Sequence, residues 1–240
     1  MVLNACVEKH WPHARPVSRD SMAMLDTAIA MAEHMETFAR NSKYEPHYHN
    51  RLHTADALVS LTWLMQALQA QGYGVPDDWA ACLLLCVTSH DVLHPGGANS
   101  YLQEFESQSV EQLKRLATQF GVSEPWLDTA SYLILHTDPS LVTANHDKVA
   151  HRAFVMNQDW AVVLMNEADI LASATKAFGP KLGNALASEW EYRKHPLHAL
   201  VGTDVGRMQF LSSLRFSTPA SKALYLPQEV AQQIANLNQQ

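Results

Sequence analysis

Apolar side chains recur at steps of three and four residues along most of this 240-residue chain. In the stretch "SMAMLDTAIAMAEHMETFA", that spacing places Met22, Leu25, Ile29, Ala32 and Met35 on one face of a helix. The sequence offers neither a run of alternating apolar and polar residues nor an Asn-Gly turn, the signals that indicate strands and hairpins. The chain is therefore predicted to be all-α.

The same spacing predicts further helices. The segment "PDDWAACLLLCVTSHD" is apolar nearly all round after an acidic first turn, which is typical of a central, buried helix. Other helices are predicted at 52–68, 109–120, 124–136, 146–175, 181–194 and 203–215. Because no repeat and no long linker separates them, residues 1–240 are expected to form a single compact multi-helix domain.

The composition, with 47% hydrophobic and 17% charged residues, is that of a soluble globular protein. A net charge of −7 at pH 7 leaves no basic surplus for a nucleic-acid polymer, whereas a small anionic ligand stays open if a metal supplies positive charge. The apolar run "WAACLLLCV" is too short to cross a membrane, and the first residues lack the apolar stretch of a signal peptide. Three cysteines do not suit a disulfide framework, so a cytoplasmic location is expected.

Histidine and aspartate are concentrated in two separated segments, "YHNRLHTAD" and "HDVLHPGGAN". On a helix, His49, His53 and Asp56 would share one face, because they lie at i, i+4 and i+7. His90 and Asp91 end the predicted buried helix, and the Pro-Gly-Gly that follows opens space beside them. Both segments therefore present imidazole and carboxylate groups close together.

A third carboxylate source is the apolar segment "MNEADILASAT", which contains Glu167 and Asp169. Imidazole nitrogens and carboxylate oxygens are together the usual ligands of zinc, iron and manganese. A mixed site of this kind keeps positions for water, whose pKa the ion lowers. From spacing alone, a divalent-metal site and a set of unrelated packed histidines both stay open.

The segments also resemble the motifs of a known family. "YHNRLHTAD" is similar to YHNxxHAxD and "HDVLHPGGAN" to HDxxHPGxxN, the two specific motifs of class I cyclic nucleotide phosphodiesterases. "LHTDPS" resembles the ATDMS segment of that family, and "ADILASATK" resembles its ADLSNPTK segment. The four occur in family order, and the likeness spans 48–210. The resemblance implies an HD-superfamily metal-dependent phosphohydrolase with an all-α HD/PDEase-like fold.

The resemblance also implies roles for individual residues. His53, His90, Asp91 and Asp169 match the protein ligands of one divalent ion, and Asp91 would reach a second ion as well. His49 matches the histidine that protonates the leaving oxygen, a task suited to a group that titrates near neutral pH. The two ions would be Zn, Fe, Mn or Mg, and activated water would attack phosphorus in line.

Three more positions follow from the resemblance. His94 and Asn99 match residues that order water and shape the pocket. Asp138 would orient His49 or a nearby water.

The substrate side departs from the family pattern. Phe210 matches a phenylalanine that stacks on a purine, but Arg207 stands where the family has a purine-reading glutamine. Arginine offers only donors and suits phosphate or carboxylate better than a purine edge. His136 stands where alanine is usual, and it is either a packed residue or an extra ligand of the second ion.

The sequence therefore predicts a divalent-metal phosphohydrolase, most specifically a phosphodiesterase acting on a cyclic nucleotide or a related small phosphoester. Two alternatives stay open. One is an HD-type nucleotide phosphatase, and the other is a regulatory module that binds metal and a phosphate ligand without turnover. The expected partner is a small phosphoester, with no nucleic-acid polymer and no membrane. The metal identity and the oligomeric state are left open.

Overall fold

The computed structural model describes residues 2–13 and 18–239, and within those ranges the chain is helical and contains no strand. In chain order, the helices of these ranges are α1 (Val2–His10), α2 (Arg19–Asn41), α3 (Arg51–Ala70), α4 (Asp77–Ser89), α5 (Glu104–Phe120), α6 (Glu124–Leu135), α7 (Val142–Val149), α8 (Gln158–Ala174), α9 (Gly179–Tyr192), α10 (His198–Val201), α11 (Asp204–Ser213), α12 (Pro219–Ala223) and α13 (Leu226–Leu237). The predicted all-α fold is confirmed. None of these helices is long and apolar enough to cross a membrane.

Helix α4 lies at the centre of the molecule. All its residues from Ala80 to Ser89 are buried, and α2, α3, α5, α6 and α8 pack around it. A helix that is apolar on every side is stable only when neighbouring helices cover every side. The predicted central helix is therefore confirmed.

Two apolar clusters hold the helices together. The larger one joins side chains from α1 to α8 around α4, together with Ala220 and Leu226 from the C-terminal helices. The smaller one joins Ala174 at the end of α8 to Leu211 of α11 and Val230 of α13. Helices α11 and α13 are thus attached to the end of α8, the helix that carries Asp169.

The predicted buried face of α2 is wrong in part. Met22 is 45% exposed, and the buried apolar side chains are Ala23, Met24, Leu25, Ala28, Met31 and Met35. Apolar residues occur on both sides of the predicted stripe, and packing against α4 selects the side that contains Met24.

The single helix predicted at 146–175 is also wrong, because α7 and α8 are separate. The side chain of Asn157 accepts a hydrogen bond from Trp160 N at 3.2 Å and so starts α8 as an N-cap. Phe154 is buried against Trp160, with ring centroids 5.0 Å apart, which draws the connecting segment inward. The short helices α1, α10 and α12 were not predicted.

Candidate functional site

Four side chains from distant parts of the sequence meet, and they come from the first turn of α3, the C-terminal end of α4 and the interior of α8. His53 Nε2 lies 2.8 Å from Asp169 Oδ1 and 3.3 Å from Asp91 Oδ2. His90 Nε2 lies 3.3 Å from the same Asp91 oxygen and 3.4 Å from the same Asp169 oxygen. The two imidazoles and two carboxylates therefore point at a common centre.

Local structure fixes where each imidazole points. The side chain of Asn50 caps α3 by accepting from the N–H groups of Leu52 and His53, which places His53 in the first turn. His90 is the C-cap of α4, and its Nδ1 donates to the carbonyl of Val87 at 2.8 Å. Since a carbonyl can only accept, Nδ1 carries a proton, and Nε2 is the ring nitrogen that faces the centre, where it can bind a metal cation in place of its own proton.

The residues fit a divalent cation. His90 Nε2 is buried and makes no hydrogen bond, although the two carboxylates lie beside it. One ligand atom each from His53, His90 and Asp169 lies within 4.8 Å of the others, and Asp91 borders the same centre. A buried imidazole nitrogen that lies among carboxylates without a hydrogen bond is a costly arrangement unless a proton or a metal cation completes it.

The pKa values of the site also indicate that positive charge is needed at the centre. Burial alone would lower the pKa of His90, but the negative charges of Asp91 and Asp169 raise it to about 9. Burial alone would likewise raise the pKa of Asp169, but the adjacent imidazoles of His53 and His90 hold it below its usual range. The two aspartates thus require positive charge nearby, which protons on the histidines or a bound cation can supply.

His49 belongs to a neighbouring cluster, and its predicted place on a helix is wrong. It lies in the bend before Asn50, outside α3. Its Nδ1 is 2.6 Å from Oε1 of Glu189, a residue of α9 that is fully buried. The ring of His49 packs on that of His94 with centroids 4.0 Å apart. The bend therefore holds His49 apart from the four converging residues, at the wall of the same cavity.

Glu189 is a residue that the sequence reasoning missed. Besides His49 Nδ1, it accepts hydrogen bonds from the backbone N–H groups of Tyr48, His49 and Gly97 at 2.8, 2.9 and 3.2 Å. Burial alone would raise the pKa of Glu189, but these bonds lower it to about 2. A charged carboxylate bonded to Nδ1 leaves Nε2 as the nitrogen of His49 that can serve a ligand. A signal was present, since Glu189 shares the apolar face of α9 with Leu182 and Leu186 at i, i+4 and i+7.

Glycine is required where the chain passes Glu189. Gly96 has a φ of +78°, which other residues rarely adopt, and a Cβ there would lie 3.0 Å from Cγ of Glu189. The Pro-Gly-Gly segment therefore does more than end a helix, because it allows the backbone to reach the buried carboxylate.

His94 and Asn99 lie beside these two clusters. Burial and the proximity of His49 lower the pKa of His94 to about 4, and its Nδ1 accepts from Gly96 N at 3.0 Å. The side chain of Asn99 donates to Glu106 at 2.8 Å and to Asp138 at 3.1 Å. Glu106, a second missed residue, is a nearly buried carboxylate at the cavity wall.

Asp138 holds the loop around the cavity. It is 3% exposed and accepts hydrogen bonds from Asn99, from Gln103 N at 2.7 Å and from Ser140 N at 2.8 Å. Asp138 was predicted to orient His49 or a nearby water, but the carboxylate that contacts His49 is that of Glu189.

These residues line one open cavity of about 550 Å³. Its polar wall contains His49, His90, Asp91, His94, Asn99, Glu106, Asp138 and Asp169. Leu186 and Trp190 from α9 form an apolar part of the same wall. The cavity is large enough to hold a small phosphoester next to the converging side chains.

No model of a known protein family matches this sequence, and no curated protein matches it. Among solved structures, the chain is similar to the phosphodiesterase domain of the RhoPDE fusion protein from the choanoflagellate Salpingoeca rosetta. The TM-score is 0.67 at 13% identity, covering 99% of this chain and 90% of that chain. The likeness is one of fold.

The remaining predicted positions lie away from the four converging side chains. Arg207 and Phe210 are on α11 and line a second, mostly apolar recess beside the cavity. The guanidinium of Arg207 donates to the carbonyl oxygens of Ser173, Ala174 and Thr175. Arg207 therefore caps the C-terminal end of α8.

His136 is held as a packed residue. Its Nδ1 donates to the carbonyl of Tyr132 at 2.8 Å, and its ring stacks on that of Tyr132 with centroids 3.8 Å apart. These contacts favour packing over metal ligation.

Proposed function

We propose that this protein is a divalent-metal-dependent phosphohydrolase and, more specifically, a phosphodiesterase acting on a small phosphoester. The convergence of His53, His90, Asp91 and Asp169 on one centre is the observation that carries the proposal. The similarity in fold to a phosphodiesterase domain supports it. We further propose two ions, Zn, Fe, Mn or Mg, with Asp91 shared between them.

Divalent cations bound at such a centre neutralise phosphoryl oxygens and lower the pKa of water. His53, His90 and Asp169 would hold one of them, with the buried lone pair of His90 Nε2 as a ligand. Asp91 borders both histidines, so its carboxylate is the group best placed to serve a second ion. The chain thus offers the cations ligands from three helices: His53 in the first turn of α3, His90 and Asp91 at the C-terminal end of α4, and Asp169 within α8.

His49 would donate the proton that the leaving oxygen needs. The carboxylate of Glu189 accepts a hydrogen bond from Nδ1, which fixes the tautomer and the ring orientation of His49. His49 lines the same cavity as Asp91 and Asp169, so a phosphoester bound there has the acid on one side and the metal ligands on another. A module that only binds a ligand has no need of an oriented acid, and this supports catalysis over mere binding.

The proposal is tested by elemental analysis of the purified protein and by hydrolysis of bis(4-nitrophenyl) phosphate with the metal found. His49→Gln is expected to lower turnover by about 10²–10⁴-fold, the range for loss of a general acid, while metal content is unchanged. The matched control is His47→Gln, which removes an exposed histidine two residues away and is expected to leave turnover intact.

Full turnover in the His49→Gln variant would refute the assigned acid. Absence of bound metal together with absence of hydrolysis would refute the proposed function. Faster hydrolysis of 4-nitrophenyl phosphate than of the diester would favour the phosphatase alternative.

A further inference from the structure

One face of helix α3 is exposed to solvent and is largely apolar. Leu52 is 69% exposed, Val59 is 37% exposed and Trp63 is 53% exposed. The other faces of the helix pack against α1, α4, α8 and α12. A row of large exposed apolar side chains on a folded protein marks an interaction surface.

The exposed face of α3 has a regular spacing along the whole helix. Its residues lie alternately four and three positions apart, and they form what we call the α3 stripe: Leu52, Asp56, Val59, Trp63, Gln66 and Ala70. This alternation is the repeat with which two helices stay in contact over several turns. Ala55 and Ala67 border the stripe on either side and are small and half-buried, so a second helix can approach closely. The α3 stripe therefore fits another helix.

The α3 stripe is complementary to itself when a second copy of α3 runs in the opposite direction. A two-fold axis level with the middle of the stripe creates three kinds of pair: Leu52 with Ala70, Val59 with Trp63, and Asp56 with Gln66. Each apolar pair then sets a large side chain against a smaller one, which lets the two rows interlock. In the third pair, the carboxylate accepts a hydrogen bond from the amide.

A parallel arrangement of two α3 helices lacks this fit. It sets each residue of the stripe opposite its own copy, so that Trp63 meets Trp63 and the carboxylates of Asp56 meet each other. Two bulky rings then compete for one space, and two like charges repel across the contact. The α3 stripe therefore favours the antiparallel arrangement.

We propose that the α3 stripe is the interface of a homodimer in which the α3 helices of two copies pack antiparallel. The six residues of the stripe, all within the described part of the chain, lie outside the wall of the cavity at the metal ligands. His53 on the same helix is buried on another face. Pairing therefore leaves the proposed metal site accessible and does not depend on the proposed function.

Sedimentation equilibrium over a concentration series measures the association of the purified protein, and a reversible equilibrium of monomer and dimer is expected. Trp63→Glu is expected to weaken dimerisation by at least about tenfold, because it buries a carboxylate against an apolar side chain. The matched control is Phe38→Glu, since Phe38 is 46% exposed on α2 and lies outside the stripe. This control is expected to leave dimerisation unchanged.

Cross-linking tests the direction of the helices. Asp56→Cys and Gln66→Cys proteins are prepared separately, mixed and treated with a short bismaleimide, which spares the buried natural thiols of Cys6, Cys82 and Cys86. The cross-link is expected to join the two different variants in preference to two copies of either one, because positions 56 and 66 lie opposite each other in the antiparallel dimer.

A monomer at every concentration would overturn the proposal. A dimer that is as stable in the Trp63→Glu variant as in the Phe38→Glu variant would also overturn it, since the contact would then lie elsewhere. Cross-links formed chiefly between identical variants would overturn the antiparallel arrangement.

Discussion

The carboxylate of Glu189 determines which nitrogen of His49 serves the cavity. Four donors surround that carboxylate: His49 Nδ1 and the backbone N–H groups of Tyr48, His49 and Gly97. Glu189 touches no predicted metal ligand in these contacts. It is therefore a positioning residue, whose loss should affect proton transfer more than metal binding.

Glu189→Gln is expected to lower kcat by about 10²-fold or more, because a neutral amide can either donate to or accept from Nδ1 and so no longer fixes the tautomer of His49. KM and metal content should change little. The measurement is steady-state hydrolysis of bis(4-nitrophenyl) phosphate together with elemental analysis. Glu191→Gln, at an exposed position two residues away, is the control. If kcat of the Glu189→Gln variant matched that of the parent, the positioning role would be wrong.

Asp91→Asn should weaken metal binding, because Asp91 lies 3.3 Å from the Nε2 atoms of both histidines in the converging group. The loss should exceed the about 10–100-fold that follows removal of a merely supporting residue. Metal titration against a coloured chelator measures it. Asp128→Asn, at an exposed position on α6, serves as the control. Unchanged metal affinity in the Asp91→Asn variant would show that the ligand set is different.

The four converging residues could be named from the sequence because each lies in a short segment that resembles a family motif. His90 and Asp91 are adjacent, so the local backbone sets their relative positions. Asn50 caps the helix that carries His53 and so sets the position of His53 in its first turn. Glu189 is 140 residues from His49 in sequence. Its role depends on how α9 packs beside the bend at His49, which no local pattern specifies.

The role of Arg207 on α11 could not be predicted from its position in the sequence alone. The expected role was contact with substrate, yet its guanidinium binds the carbonyl oxygens at the end of α8. Cations are favourable at a helix C-terminus, where the backbone carbonyls lack partners within the helix. The register of α11 against α8 decides between the two roles, and it is a tertiary property.

Arg207→Lys is expected to destabilise the fold by about 2 kcal/mol, because a lysine cannot donate to four separate acceptors at once. Urea unfolding followed by circular dichroism gives the free energy of unfolding. The control is Arg152→Lys, since Arg152 pairs with Asp159 at the surface and such pairs contribute about 1 kcal/mol or less. Equal stability of the two variants would contradict the capping role.

Helix α8 has two roles in the molecule as a whole. Asp169 turns toward the metal centre, whereas Glu167 on the same helix is fully buried and accepts the backbone N–H groups of Ser217 and Thr218. One helix thus carries both a candidate ligand and the anchor of the segment that leads into α12. The spacing of apolar residues predicted an all-α fold. It did not predict the different roles of Asp169 and Glu167, because those roles depend on how the helices pack.

His146 links the same C-terminal segment to the pH dependence of folding. It is 3% exposed, its Nδ1 lies 2.8 Å from the hydroxyl of Ser217, and its Nε2 is buried without a hydrogen-bond partner. Burial and the nearby charge of Arg215 lower the pKa of His146 to about 4, against a smaller opposing effect of Asp147. The ordinary value of 6.5 applies in the unfolded chain.

The folded pKa therefore lies below the unfolded one, so the unfolded chain takes up the proton first as the pH falls. The stability contributed by neutral His146 is complete above pH 6.5 and is lost progressively down to about pH 4, by up to about 3 kcal/mol. His146→Gln removes the titration, and its free energy of unfolding should fall less steeply than that of the parent protein in this window. Urea unfolding at a series of pH values measures the difference, with His151→Gln as the exposed control. Parallel pH curves for parent and His146→Gln would show that burial of His146 does not govern acid stability.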